Sequence, residues 1–326
     1  MKPFGVTMGD ASGVGPEILL KAAAEGTLPE AFVVFGDLAV LALCRERLGI
    51  AMPVRAAAHA GDREPGCVNV LDAGLLRAEQ VTPGAINAAS GAAARAYVVA
   101  AAEAALRGEI AAMVTLPMNK EATQLSDPHF TGHTELIGAV CGAEDVTILL
   151  ASPHLIVTHV STHCSLREAI ERCRTERVFK ILELTAGAMA RLQPGGRIAV
   201  AGLNPHAGEN GLFGREEIEE IAPAIRRAQA QGWPVEGPFP PDTVFYMAVR
   251  KKRFAAVVCM YHDQGHIPAK LLDFEGGVNV ALGLPIIRTS VDHGTAFDIA
   301  WKGQASTVSF VEAFRFAVRL AGLPVA

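Results

Sequence analysis

Three short apolar runs each lead into a histidine. Residues 155–160 run into Ser161-Thr162-His163, residues 198–203 into Asn204-Pro205-His206, and residues 255–261 into His262. Runs of this length and composition read as buried strands of a parallel sheet. In open α/β sheets, ligands collect beyond the carboxyl ends of the strands. Three imidazoles delivered to that edge can hold one divalent metal and leave a position open for substrate. The histidines are too far apart in sequence to form a ligand-spacing signature, so their common strand-end position carries the idea. One such histidine alone would be a loop or capping residue. His159 and His266 are assigned structural or supporting roles.

A second constellation follows the third run. His262, Asp263, His266 and Lys270 stand within one short segment, and Gly277-Val278-Asn279, Arg288-Thr289-Ser290 and Asp292-His293-Gly294-Thr295 come after it. So dense a polar set between apolar runs exceeds what packing asks for; the bland reading is a series of solvated loops. The first loop, Gly9-Asp10-Ala11-Ser12-Gly13-Val14-Gly15, would admit a phosphate closely or simply turn the chain, since GxG alone is a weak signal. Pro16 and Glu17 behind it open a helix.

The elements that must position these residues alternate. Strands are expected near residues 4–8, 31–35, 68–71, 110–116, 146–150, 155–160, 197–203, 255–261, 276–282 and 286–289. Helices are expected over 86–107, 165–192, 216–231 and 306–320, with another after Glu135. Residues 237–241 read as a proline-rich turn. This pattern predicts an α/β fold: a mostly parallel sheet covered by helices, with two lobes around a cleft at a length of 326 residues.

Composition narrows the function classes. Half the residues are hydrophobic, and 29 basic against 34 acidic residues leave a net charge of -5 without long charged blocks. Neither a nucleic-acid nor a membrane partner is expected. No stretch reaches the roughly 18 apolar residues of a membrane span, and the N-terminal residues lack a signal-peptide pattern. The six cysteines form no CxxC pair, so free thiols and a cytoplasmic location are expected.

These motifs carry a family resemblance. Phe130-Thr131-Gly132-His133-Thr134-Glu135, Ser161-Thr162-His163, Asn204-Pro205-His206-Ala207-Gly208-Glu209, Pro241-Asp242-Thr243 and Tyr261-His262-Asp263-Gln264-Gly265 resemble those of the 4-hydroxythreonine-4-phosphate dehydrogenases. Gly277-Val278-Asn279 and the stretch from Leu284 through Arg288 to Asp292-His293-Gly294-Thr295 do so too. The resemblance spans nearly the whole chain. It implies an isocitrate/isopropylmalate dehydrogenase-like fold, with a first lobe of residues 1–130 plus 290–326 and a second of 131–289 carrying the metal ligands.

The same resemblance implies roles. His163, His206 and His262 match metal ligands, in a site shared between the subunits of a homodimer. Three imidazoles suit zinc without excluding magnesium, cobalt or manganese. His133, Thr134, Lys270, Asn279 and Arg288 match substrate-binding positions. Asp292, His293, Gly294 and Thr295 resemble an adenine-side loop, implying NAD or NADP bound without the usual dinucleotide fingerprint.

The expected activity is metal-dependent oxidation of a small 4-phosphorylated hydroxy acid, followed by decarboxylation of the 3-keto acid. The substrate is 4-hydroxythreonine 4-phosphate, in pyridoxine biosynthesis, or D-threonate/D-erythronate 4-phosphate, toward which the segment from His262 to Lys270 leans. Asp242 is the candidate acid, either taking a proton or supporting the metal, or else a helix cap after Pro241; Lys270 is the second catalytic candidate. A cis-dihydrodiol dicarboxylate dehydrogenase, a phosphate-handling acyltransferase and a silent metabolite-binding protein remain as alternatives.

Overall fold

The structure, a computed structural model, describes residues 2–28 and 31–322. The chain divides into two compact units, Met1–Glu144 with Leu284–Ala326, and Asp145–Gly283. The division falls at 144/145 and 283/284, so His133, Thr134 and Arg288 belong to the first unit, whereas 130/131 and 289/290 had put them in the second lobe.

The first unit begins with β1 (Phe4–Thr7), α1 (Gly15–Ala24), β2 (Phe32–Gly36), α2 (Leu38–Leu48), β3 (Val54–Ala56) and β4 (Val68–Asp72). It continues through α3 (Ala88–Leu106), β5 (Met113–Thr115), α4 (Lys120–Gln124) and α5 (His133–Cys141). The second unit carries β6 (Thr147–Ala151), β7 (Ile156–His159), α6 (Leu166–Arg172), α7 (Thr175–Leu192) and β8 (Ile198–Ala201). It then forms α8 (Ala222–Ala230), β9 (Val235–Phe239), α9 (Pro241–Val249), β10 (Ala256–Cys259), α10 (His262–Leu272) and β11 (Val278–Leu282). The chain returns to the first unit with β12 (Arg288–Val291) and α11 (Val308–Leu320).

In the first unit the strand order is β3-β4-β2-β1-β5-β12, and every pairing is parallel. Val6, Val33 and Val34 are fully buried, as expected of strands covered on both faces. Phe314 of α11 packs its ring 5.1 Å from that of Phe4. In the second unit the order is β11-β6-β7-β10-β8-β9. Here β7, β10, β8 and β9 are parallel, while β6 runs antiparallel to both β7 and β11. Leu150, Val157, Ala199, Val257 and Cys259 share one core cluster with Val244 of α9.

Several elements depart from expectation. The single helix over 165–192 is two helices. Cys173 (ψ 71°) and Arg174 (ψ 149°) leave the helical region between them, and α7 starts where the Thr175 N–H donates to Glu220 Oε2 at 2.7 Å. Residues 235–239 form β9 rather than a plain turn; it is an edge strand, and its pairing with β8 shifts register between Ala199 and Ala201, the kind of place where proline is tolerated in a sheet. The unassigned segment 38–48 is α2, closed by Gly49 at φ 65°. His262 does not end a strand: β10 stops at Cys259 and His262 is the first residue of α10.

Candidate active site

The three strands that precede the histidines are neighbours, β7-β10-β8, all parallel. His163, His262 and His206 therefore all lie beyond the carboxyl ends of adjacent strands. Local hydrogen bonds fix the connections. Ser161 Oγ donates to Met260 O at 2.9 Å, tying the segment after β7 to the one after β10. Gln264 accepts from Met260 N at 2.7 Å and donates to Gly202 O at 2.8 Å, tying α10 to the segment after β8. Gly265 lets α10 lie directly on β7, since a Cβ there would sit 2.5 Å from His159 Nε2.

That approach builds a cluster of rings. His262 and His266 lie parallel with centroids 3.6 Å apart, His266 and His159 are 4.7 Å apart, and His163 is 5.7 Å from His262. The tautomers follow from the partners. Carbonyl oxygens only accept, so His159 Nδ1, 3.4 Å from Ile148 O, carries the hydrogen and its Nε2 accepts. His266 Nδ1, 3.2 Å from both that Nε2 and His262 O, is the donor. His159 is wholly buried, and burial first, then the neighbouring His266, pushes its pKa down to about 3. His262 Nδ1 faces Asp263 Oδ1 at 2.7 Å. A carboxylate there holds the proton on Nδ1 and leaves the Nε2 lone pair open. A cavity of about 260 Å³ beside these rings is lined by Thr162, His163, Cys164, Tyr261, His262 and Asp263.

His206 is arranged differently. It is exposed, on a 3₁₀ turn over Pro205–Gly211, with its Nδ1 4.0 Å from Asp242 Oδ2. Asp242 sits in the first turn of α9, where Pro240 holds the capping position, and it makes no cap. Among the described residues, no group of three His, Cys, Asp or Glu side chains is close enough to hold a metal ion. The donor atoms have the right chemistry for a divalent cation, but one chain does not bring all three imidazoles together.

The substrate candidates divide between the units. In the first, Arg288 is 3 % exposed; its Nε and Nη2 donate to Thr115 Oγ1 at 3.2 and 2.7 Å. No carboxylate forms an ion pair with it among the described residues. Burial pushes its pKa down to about 10, against the pull of Glu135. His133 opens α5, and its buried Nε2 has no hydrogen-bond partner among the described residues. Burial first, then the charge of Arg288, lowers its pKa to about 3. Thr134 stands beside it in the first helical turn. In the second unit the Oδ1 of Asn279 on β11 is likewise buried without a partner among the described residues. Lys270 lies on α10 with Nζ 5.6 Å from the Phe274 ring centroid.

The adenine-side candidates form a loop after β12. Thr295 is buried and its carbonyl accepts from Val14 N at 3.0 Å, so this loop and the glycine loop after β1 pack together. Asp292 N lies 3.4 Å from Ser309 Oγ, and His293 Nδ1 faces Gly294 O at 2.9 Å. Thr115 and Gln264 went unassigned by sequence reasoning. The signal for Thr115 was a polar residue closing an apolar strand; for Gln264 it was a place inside the His262–Lys270 constellation.

The fold places the chain in a broad α/β class: a β-decarboxylating dehydrogenase from Thermococcus kodakarensis shares it at 14 % identity, with a TM-score of 0.53 over 99 % of this chain and 84 % of that one, and a phosphotransacetylase from Staphylococcus aureus at 12 %, with a TM-score of 0.53 over 97 % and 94 %. Residues 28–317 match the family described as Pyridoxal phosphate biosynthetic protein PdxA, and the chain belongs to that family. It is 45 % identical to D-threonate 4-phosphate dehydrogenase of Salmonella typhimurium, covering 98 % of this chain and 99 % of that protein. The crystal structure of 4-hydroxythreonine-4-phosphate dehydrogenase from Klebsiella pneumoniae is 42 % identical, with a TM-score of 0.87 over 98 % of this chain and 100 % of that one.

Proposed function

We propose that the chain is a dehydrogenase that oxidises a hydroxy acid bearing a 4-phosphate, with NAD or NADP as hydride acceptor. The substrate class is D-threonate/D-erythronate 4-phosphate or 4-hydroxythreonine 4-phosphate; with the latter the reaction belongs to pyridoxine biosynthesis. The oxidised 3-keto acid then loses carbon dioxide. The observation that carries this reading is Arg288: a buried guanidinium met by a neutral hydroxyl rather than a carboxylate. A buried cation without a counter-charge is costly, and a phosphate or carboxylate would relieve that cost through charge-assisted bonds. His133, kept neutral and bonded to the Leu116 backbone, leaves an Nε2 with no partner among the described residues that can accept from a hydroxyl of the same ligand, and Thr134 offers a hydroxyl. Lys270 and Asn279 keep the substrate roles that the resemblance gives them.

A divalent metal, zinc or one of magnesium, cobalt and manganese, would lower the pKa of the substrate hydroxyl when bound. His163, His206 and His262 would hold it. One chain presents them as a pair and a separate ring, which supports a ligand set completed by a second copy. The apolar side chains of Ile267, Leu271 and Phe274, exposed on and just after α10, are surface of the kind a homodimer covers. Asp242, beside His206, takes the proton or supports the ligand, and Asp292, His293, Gly294 and Thr295 meet the cofactor.

The test is a panel of four-carbon phosphorylated hydroxy acids, each with NAD and NADP and with and without added metal, followed at 340 nm. Metal-dependent reduction with a phosphorylated acid, but not with its dephosphorylated form, is the expected result. Turnover of the dephosphorylated acid at equal KM would remove the phosphate assignment.

A further inference from the structure

The turn that carries His206 is built from the wrong hand. His206, Ala207, Gly208, Glu209 and Asn210 have φ of 53°, 55°, 79°, 46° and 56°, a continuous left-handed run. Four of the five are not glycine, and L-residues with side chains resist this region. Such a conformation persists only where the surroundings over-determine it, and it concentrates at functional sites.

The surroundings here converge on one carboxylate. Glu217 is 3 % exposed. Its Oε1 accepts from Leu203 N and Asn204 N, both at 2.7 Å, and its Oε2 accepts from Asn204 Nδ2 at 2.9 Å. Glu216 Oε2 takes the same Asn204 amide at 2.7 Å. At Gly208 a Cβ would stand 2.7 Å from Glu217 Oε2, so the carboxylate is packed against the turn itself. Glu217 opens a π-helical turn, Glu217–Ile221, that leads into α8, a widened geometry frequent at functional sites.

We infer that Glu217 is the positioning residue for His206: its carboxylate closes the exit from β8 and braces the left-handed turn that presents the imidazole. Glu217 bonds Leu203 and Asn204 and packs against Gly208, so its role is to act through His206. The inference rests on the reading of His206 as a metal ligand. A carboxylate buried against backbone N–H groups is also hard to replace, because its loss leaves those donors unpaired.

The test is titration of the full-length protein with Co²⁺, read by its visible absorption, together with amide hydrogen exchange over residues 204–211. His206→Ala is expected to lose binding. Glu217→Ala is expected to weaken it about 10- to 100-fold, the range for groups that orient metal ligands, to change the absorption band, and to speed exchange in the turn. Glu217→Gln, whose amide oxygen still accepts from Leu203 and Asn204, is expected to recover most of the affinity. Gly208→Ala crowds the carboxylate while leaving Glu217 in place; it is expected to follow Glu217→Ala and replaces it should that variant fail to fold. Wild-type titration and exchange by Glu217→Ala and Gly208→Ala, with His206→Ala still defective, overturns the inference. Wild-type titration by His206→Ala overturns the ligand assignment, and the inference falls with it; that variant tells the two failures apart.

Discussion

Arg288 and Thr115 stand on adjacent strands of the first unit, and the guanidinium gives the hydroxyl oxygen two hydrogen bonds, at 3.2 and 2.7 Å. The hydroxyl occupies the guanidinium without neutralising it. Arg288→Met fills nearly the same volume and removes the buried charge. Stability is expected to hold, or to rise by up to about 1–4 kcal/mol as for other buried charges replaced by apolar groups. Phosphate binding, followed by calorimetry, is expected to weaken on the order of 100-fold, from the loss of charge-assisted bonds of about 1.5–3 kcal/mol each. A destabilised variant that still binds phosphate would make Arg288 a structural residue.

His133 supplies a pH test. Its pKa in the fold is about 3, against 6.5 for an unperturbed ring. Between those values the unfolded chain holds a proton that the folded chain does not, so stability rises with pH across the window. The contribution is complete above about pH 6.5 and is lost as pH falls toward about 3. His133→Gln removes this titration. Its urea midpoint is expected to fall less than that of the wild type between about pH 6.5 and about pH 4. Equal falls in the two proteins would show that the ring protonates freely within the fold.

Much of this was legible in the chain. Strands such as β8 and β10 are short, uniformly apolar and bounded by polar residues, and their order in space put three histidines at one sheet edge. What escaped has identifiable causes. In α2 the segment 38–43 is apolar on every side, so no stripe distinguishes helix from strand. The break between α6 and α7 is set by Glu220, distant in sequence. The antiparallel direction of β6 leaves no mark on its composition. At the left-handed turn His206–Asn210, His206, Gly208 and Asn210 are types that tolerate the region but Ala207 and Glu209 are not, and the carboxylate of Glu217 packed against the turn comes from further along the chain, so neither the turn nor its neighbour can be read locally. Whether the three imidazoles meet is decided by partners in space and, in the proposal above, by a second chain.

Asp263 fixes the tautomer of His262 through the 2.7 Å contact with Nδ1, yet it is an exposed side chain that contributes little to the core. Asp263→Ala is expected to leave the unfolding temperature within a few degrees. Metal affinity, measured by titration against a competing chelator, is expected to fall about 10- to 100-fold, because the ring loses the partner that orients it. Unchanged affinity would mean that His262 either binds no metal or needs no orienting partner.

The last prediction concerns the second copy. Leu271 and Phe274 are 84 % and 75 % exposed, so neither supports the fold of the chain that carries it. A charge at either position costs little in a free chain but is expected to be strongly unfavourable in a covered interface, where an unpaired ion is desolvated. The double variant Leu271→Glu, Phe274→Glu is therefore expected to sediment as a folded monomer with an unchanged circular dichroism spectrum. If the metal site needs ligands from two chains, that monomer also loses tight metal binding and turnover, although His163, His206 and His262 are untouched. A monomer that keeps its metal would show that one chain can gather the three imidazoles after rearrangement. A variant that stays dimeric would place the interface on another face.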